Sequence, residues 1–346
     1  MGSKQDKIAS FNPNNAGLAD SQIYGLPFTP EESDIVLLPV PWEVTVSYGS
    51  GASEGPEHIF DASFQIDLFH PEFPELWKKG IAMLDASAGM HGRANALKEK
   101  AQQIIDAWEE GIDVENNDEL QEIIDEINDA CAHMVDYVEQ EAMKWMKQGK
   151  MVGLIGGDHS TPLGYLKALA KQHDSFGILH VDAHMDLRIA YEGFTYSHAS
   201  IMYNALQIPQ ISKIVQVGIR DFCEEENEVV EDAQGRVVVH TDASIQRASF
   251  DGETWKQRCD AIIAALPEKV YVSFDIDGLD PTLCPNTGTP VPGGLTFQQA
   301  TYLLSRLKDS KKVIGFDLVE VAPGEDDWNG NVGARLLFHL CGVAAI

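Results

Sequence analysis

Gly177-Ile178-Leu179-His180-Val181 runs without a break into Asp182-Ala183-His184-Met185-Asp186, and this passage from an apolar run into a D-x-H-x-D string decides how the rest of the chain is read. A short, nearly all-apolar run reads as a strand buried on both faces. Alternate side chains of extended backbone share a face, so Asp182, His184 and Asp186 point to one side. Val270-Tyr271-Val272-Ser273-Phe274 leads in the same way into Asp275 and Asp277. Carboxylates therefore leave the core where two strands end. Working outward, the pattern predicts strands at 34–41, 151–155, 177–181, 214–219, 237–240, 270–274 and 313–319, with helices at 163–171, 199–206, 255–266 and 297–308 between them. Alternating elements with apolar strands imply an α/β fold with a mainly parallel sheet covered on both faces, and ligands in such sheets gather at the carboxyl ends of strands.

So many acids in one place disfavour one another's ionisation, and divalent cations remove that conflict. Asp182, Asp186, Asp275 and Asp277 balance two such ions in formal charge, while His159, in Gly156-Gly157-Asp158-His159-Ser160, and His184 add imidazole nitrogens. Oxygen and nitrogen donors without thiolate suit Mn, Fe, Co or Ni better than a structural zinc cluster. Each string alone is weak, since D-x-H-x-D also describes a solvated strand end; three strings in this order, two of them behind strands, favour the metal centre.

The 346 residues include 25 basic and 54 acidic ones, a net charge of −29. Such a chain repels nucleic acid and anionic membrane and attracts a cationic substrate, although most of the acidity simply solvates the surface. Five scattered cysteines without C-x-x-C argue for reduced thiols, the N-terminus has no apolar signal core, and no run approaches a membrane span, so a cytoplasmic protein is expected. Residues 1–30 read as an irregular polar arm and 31–346 as one domain with a helical insertion at about 96–148. Within it, Ile123, Ile127, Cys131, Met134, Val138, Ala142 and Trp145 recur at three- and four-residue steps along a long amphipathic helix that Gly149 ends.

The three strings, together with Asp277-Gly-Leu-Asp-Pro-Thr, Gly315-Phe-Asp-Leu-Val-Glu-Val-Ala-Pro and, more loosely, Ser47-Tyr-Gly-Ser-Gly-Ala, resemble the ureohydrolase family of arginases, agmatinases, guanidinobutyrases and formiminoglutamases. The resemblance implies a three-layer α/β/α, arginase-like fold, a small guanidino substrate, and two divalent ions per chain, Mn²⁺ first and Ni²⁺ as the alternative. It implies that His159, Asp182, Asp186 and Asp275 hold one ion and Asp182, His184, Asp275 and Asp277 the other. His198 would shuttle protons, Glu320 would pair with the guanidinium, and Asp186 would serve the reaction as well as the metal. It further implies a homo-oligomer, trimer or hexamer. Asp158 is expected to orient His159, and His180 to lie behind the ligands.

The substrate reading is looser. Arg188 stands where arginase-like enzymes tend to place an uncharged residue; facing the pocket, it would repel a distal ammonium or take a carboxylate, as the similar D-L-R of formiminoglutamases suggests. Tyr196, with Tyr191 and Phe194, would narrow the pocket, and Trp42 would reach its rim. An agmatinase-like activity is expected, with free guanidine, guanidinobutyrate or formiminoglutamate as alternatives. A one-zinc deacetylase and a catalytically silent subunit of a hetero-oligomer are the readings from other classes.

Overall fold

The structure, a computed structural model, describes residues 3–17 and 21–345. The parts of the expected arm at 1–2 and 18–20 lie outside the described residues. Helix α1 (Lys4–Ser10) opens the chain on a capping box between Ser3 and Asp6, so the arm is not wholly irregular. The first half then runs β1 (Ile35–Val40), α2 (Gly55–Ser63), α3 (Leu76–Lys79), β2 (Ile81–Met83), α4 (Met90–Glu109), α5 (Asp118–Met146) and β3 (Met151–Gly156). The second continues with α6 (Leu163–Ala170), β4 (Phe176–Val181), α7 (Ile201–Leu206), β5 (Ile211–Ile219), α8 (Glu224–Asp232), β6 (Val237–Thr241) and α9 (Asp242–Phe250). It closes with α10 (Trp255–Ala264), β7 (Lys269–Asp275), α11 (Phe297–Lys308), β8 (Lys312–Val319) and α12 (Trp328–Ala344).

The eight strands make one sheet in the order β2-β1-β3-β8-β7-β4-β5-β6, parallel at every pairing. Side chains alternate between two separate apolar clusters: Ile35 and Leu37 of β1 join Ile59 of α2, Leu303 of α11 and Leu336 of α12, while Val36 and Leu38 join Ile104 of α4, Val135 of α5 and Leu166 of α6. Helices thus cover both faces, and the expected three-layer α/β/α architecture holds. Among the described residues no helix is long and apolar enough to cross a membrane.

In α5 the predicted stripe is buried from Ile127 to Trp145 with Ile123 half-buried, Asn117 caps the start by accepting from the Leu120 amide at 3.3 Å, and Gly149 follows the end with φ +75°. The chain pattern did not predict α12. Three glycines in it argue against a helix by propensity, yet at Gly330 a Cβ would come within 2.8 Å of the His58 carbonyl oxygen of α2. Close packing on α2 outweighs the propensity cost of about 1 kcal/mol per glycine.

Candidate metal centre

Strands β3, β8, β7 and β4 lie side by side at the middle of the sheet, although they are dispersed along the chain. Being parallel, they all end at one edge, and each delivers polar residues there: His159 three residues after β3, Glu320 directly after β8, Asp275 at the end of β7 with Asp277 in the 3₁₀ turn that follows, and Asp182 directly after β4. The structure brings all six expected ligands together. His159 Nδ1 is 2.9 Å from Asp182 Oδ2 and 3.2 Å from both Asp186 Oδ2 and Asp275 Oδ2. His184 Nδ1 is 3.1 Å from Asp277 Oδ2 and 3.4 Å from Asp182 Oδ1. Two potential donor groups result, one containing His159, Asp182 and Asp186 and the other Asp182, His184 and Asp277, so Asp182 belongs to both.

Without counter-ions this arrangement is electrostatically costly. Burial, then Asp277 and Asp182, push the Asp275 carboxyl well above the usual range, and burial with Asp182 pushes Asp186 up to about 7. Burial opposes charge on His184, but Asp277 and Asp182 overcome it and raise the imidazole to about 12. The chemistry of the donor set fits cations. His159 Nδ1 is buried beside three carboxylate oxygens yet makes no hydrogen bond, while its Nε2 lies 2.9 Å from Ser273 Oγ. A ring nitrogen fixed from behind and left unpartnered in front is disposed as a ligand.

That arrangement corrects one expectation. Asp158 does not touch the His159 ring; its carboxylate accepts from the Ser160 and Val44 amides, and Ser273 does the orienting. The signal for Ser273 was a hydroxyl residue inside an apolar strand. Register extends the point. Gln216, His180, Ser273 and Asp317 stand opposite one another on β5, β4, β7 and β8, a fully buried polar row beneath the ligands. His180 Nε2 contacts Asp182 Oδ2 at 2.8 Å, and burial holds its imidazole below the ordinary value.

The centre opens into a cavity of roughly 190 Å³ whose wall includes Arg188, Tyr191, His198, Asp221, Glu226 and Glu320. His198 opens a short 3₁₀ turn, and burial followed by His184 and His159 depresses it to about 4, so it is neutral at physiological pH. Glu320 accepts the His159 amide through Oε1 at 3.0 Å, while its Oε2 is buried with no partner. Arg188 does face the cavity, stacked 4.6 Å over the Tyr191 ring with Nε 4.0 Å from Glu226. Trp42 and Tyr196 do not line it. Trp42 is 2% exposed and packs, as Tyr196 also does, in the apolar cluster under α4 and α5, because β1 ends inside that layer and the loop at 195–196 folds back on it. Of the three aromatics expected to narrow the pocket, Tyr191 does line the cavity, with Ser47, whereas Phe194 is buried in that same apolar cluster.

A parallel α/β/α sandwich whose central strand ends converge carboxylates and imidazoles is a scaffold able to hold divalent cations of the kind hydrolases use. The arginase-family profile matches residues 33–342. The chain is 31% identical over 325 residues to an N(1)-aminopropylagmatine ureohydrolase of Thermus thermophilus, covering 94% of this chain and 95% of the relative. It is 32% identical over 323 residues to the agmatinase of Neisseria meningitidis serogroup A, covering 91% and 89%. The agmatine ureohydrolase structure of Thermoplasma volcanium superposes with a TM-score of 0.70 at 24% identity, covering 99% of this chain and 97% of that one. The chain belongs to the arginase family, and it is a ureohydrolase acting on guanidino C–N bonds.

Proposed function

We propose that the chain hydrolyses a small guanidino compound with a distal amine, in the manner of an agmatinase, releasing urea and the amine. One observation carries this reading: the unpartnered Oε2 of Glu320 borders the same small cavity as the acidic cluster, and a planar guanidinium is the group that satisfies it. His159, Asp182, Asp186, Asp275, His184 and Asp277 would hold two divalent cations, Mn²⁺ or Ni²⁺, which would supply Lewis acidity and lower the pKa of the attacking water. Glu320 holds the guanidinium plane and fixes its central carbon over the cluster. Neutral His198 on the cavity wall accepts a proton and returns it to the departing nitrogen, without which the amine is a poor leaving group. Farther out, Asp221 and Glu226 give a distal ammonium its counter-charges and offset Arg188.

A second reading, free guanidine, draws on the narrowness of the cavity. The test is urea release from agmatine, N(1)-aminopropylagmatine, 4-guanidinobutyrate, guanidine and arginine by protein reconstituted separately with Mn²⁺ and Ni²⁺. Agmatine or its aminopropyl derivative is expected to turn over fastest. Turnover restricted to guanidine or to the guanidino acid overturns the amine assignment, and no urea from any compound at two ions per chain points to a guanidino substrate outside the panel or to a silent subunit.

A further inference from the structure

We infer that Gln216 and His180 form a hydrogen-bonded relay that sets the metal affinity of Asp182, with His180 a positioning residue and not a ligand. The inference rests on the reading of the cluster as a metal centre and goes beyond it by assigning the buried row behind it.

Position alone leaves His180 ambiguous. Its ring sits 5.1 Å from that of His159, and its Nε2, like His159 Nδ1, reaches Asp182 Oδ2. It is therefore close enough to be counted among potential donors. What separates the two imidazoles is the partner behind each. Parallel register sets Gln216 of β5 beside His180 of β4, both fully buried. The Gln216 amide nitrogen lies 2.7 Å from the Met185 carbonyl oxygen and 3.0 Å from His180 Nδ1. A carbonyl can only accept, so the amide nitrogen has to face Met185, which fixes the side-chain orientation. The second amide hydrogen is then directed at His180 Nδ1, making that nitrogen an acceptor. In the neutral ring the proton must sit on Nε2, where it is donated to Asp182 Oδ2. A nitrogen carrying that proton has no lone pair for a cation. The relay thus runs in one direction: Gln216 donates to His180, and His180 donates to Asp182.

Two effects follow. Asp182, common to both donor groups, has one carboxylate oxygen anchored from behind, while Oδ1 accepts the His184 amide at 2.6 Å. Gln216 also tethers Met185, the residue between His184 and Asp186, so one buried amide holds both the shared carboxylate and the loop bearing its neighbours. Partners of this kind typically contribute about tenfold to a hundredfold in metal affinity.

The test measures Mn²⁺ stoichiometry and affinity, by chelator competition, on full-length wild type and on His180→Phe, His180→Gln and Gln216→Met, with apoprotein melting followed in parallel. Wild type is expected to bind two ions. His180→Phe, which keeps a ring but loses the donor, should weaken binding about tenfold to a hundredfold. His180→Gln, which presents an amide N–H near the former Nε2, should recover most of it although it packs less well, and Gln216→Met should weaken binding about tenfold. Wild-type affinity in His180→Phe overturns the relay. So does an affinity order that follows apoprotein melting, Phe above Gln, since packing alone would give that order. Loss of an entire ion with either His180 variant makes His180 a ligand and also overturns it. A wild type that takes up no ion overturns the metal-centre reading itself, an outcome distinct from the other three.

Discussion

The cavity has two kinds of wall, and they are built on opposite principles. On the strand-end side every expected ligand but the partly exposed His184 is buried, and buried groups hold them: Ser273 behind His159, the Ala183 amide on Asp277 at 2.9 Å, the Asp277 amide on Asp275 at 2.8 Å. On the other side stands the helical hairpin of α4 and α5, whose outer face carries exposed pairs such as Lys100 with Glu126. It adds no side chain to the cavity lining, and besides apolar packing two polar tethers bind it to the loops that do. Lys98 of α4 pairs with buried Glu43 at 3.0 Å and donates to Ser50 at 2.6 Å, and Glu43 in turn accepts the Gly51 and Ser53 amides. Asn128 of α5 donates to the Gly193 carbonyl at 3.1 Å and accepts the Thr195 amide at 2.8 Å. One wall fixes where charge sits. The other fixes the shape of the loops that carry Ser47 and Tyr191.

If that division holds, substitutions on the first wall abolish chemistry and those on the second retune it. The largest effect belongs to Asp182→Ala, which should strip both ions and reduce urea release to background; two ions retained by elemental analysis would break the assignment of a shared ligand. His198→Ala comes next, with kcat expected to fall about 10²-fold while metal content is unchanged, as fits loss of a proton shuttle.

Acidity separates the walls in another way. In metal-free protein the folded state holds protons on Asp186, raised to about 7, and on His184, raised to about 12, that the unfolded chain has released by then. Folding then binds more protons than unfolding, so stability falls as pH rises from about 6.5 to about 8. Cations need deprotonated ligands, so the Mn²⁺-loaded protein should show the reverse trend. Melting temperatures of both forms across that range check the sign, and parallel slopes would place the pH dependence outside the cluster.

On the hairpin side, Asn128→Ala should raise KM about fivefold to tenfold with kcat and metal content nearly constant, the scale of two lost hydrogen bonds. A collapse of kcat would mean that the Asn128 tether also positions His198, at the end of the loop, and not only the shape of the cavity. Lys98→Met should cost about 1–3 kcal/mol in denaturant unfolding because Glu43 keeps its backbone donors but loses its cation, with a smaller shift in KM.

The strand-end wall was far more legible in the sequence than the hairpin wall. Period-two spacing and apolar lead-in strands are local signals, so Asp182, His184, Asp186, Asp275 and Asp277 could be read as convergent before any fold was known. Gln216 and Asp317 were visible only as polar residues in apolar runs, Ile214-Val215-Gln216-Val217 and Gly315-Phe316-Asp317-Leu318. Their significance depends on inter-strand register, which one strand's sequence does not encode. Trp42 and Tyr196 were misplaced because an aromatic beside a strand end satisfies a rim and a core equally well by composition. Asn128 looked like one more polar position on a long helix, and its two partners lie 65 and 67 residues away.

Asp186 and Glu320 both have left-handed backbone, with φ of 55° and 63°. For a residue with a Cβ that conformation costs about 1–2 kcal/mol, and glycine would relieve it. In the metal-free scaffold, selection for heat tolerance alone would therefore drift toward glycine at both positions, while bound cations would oppose the loss of Asp186, and the hardiest metal-free survivors would be inert. Laboratory selection has to score turnover alongside survival, or it will breed an excellent protein that does nothing.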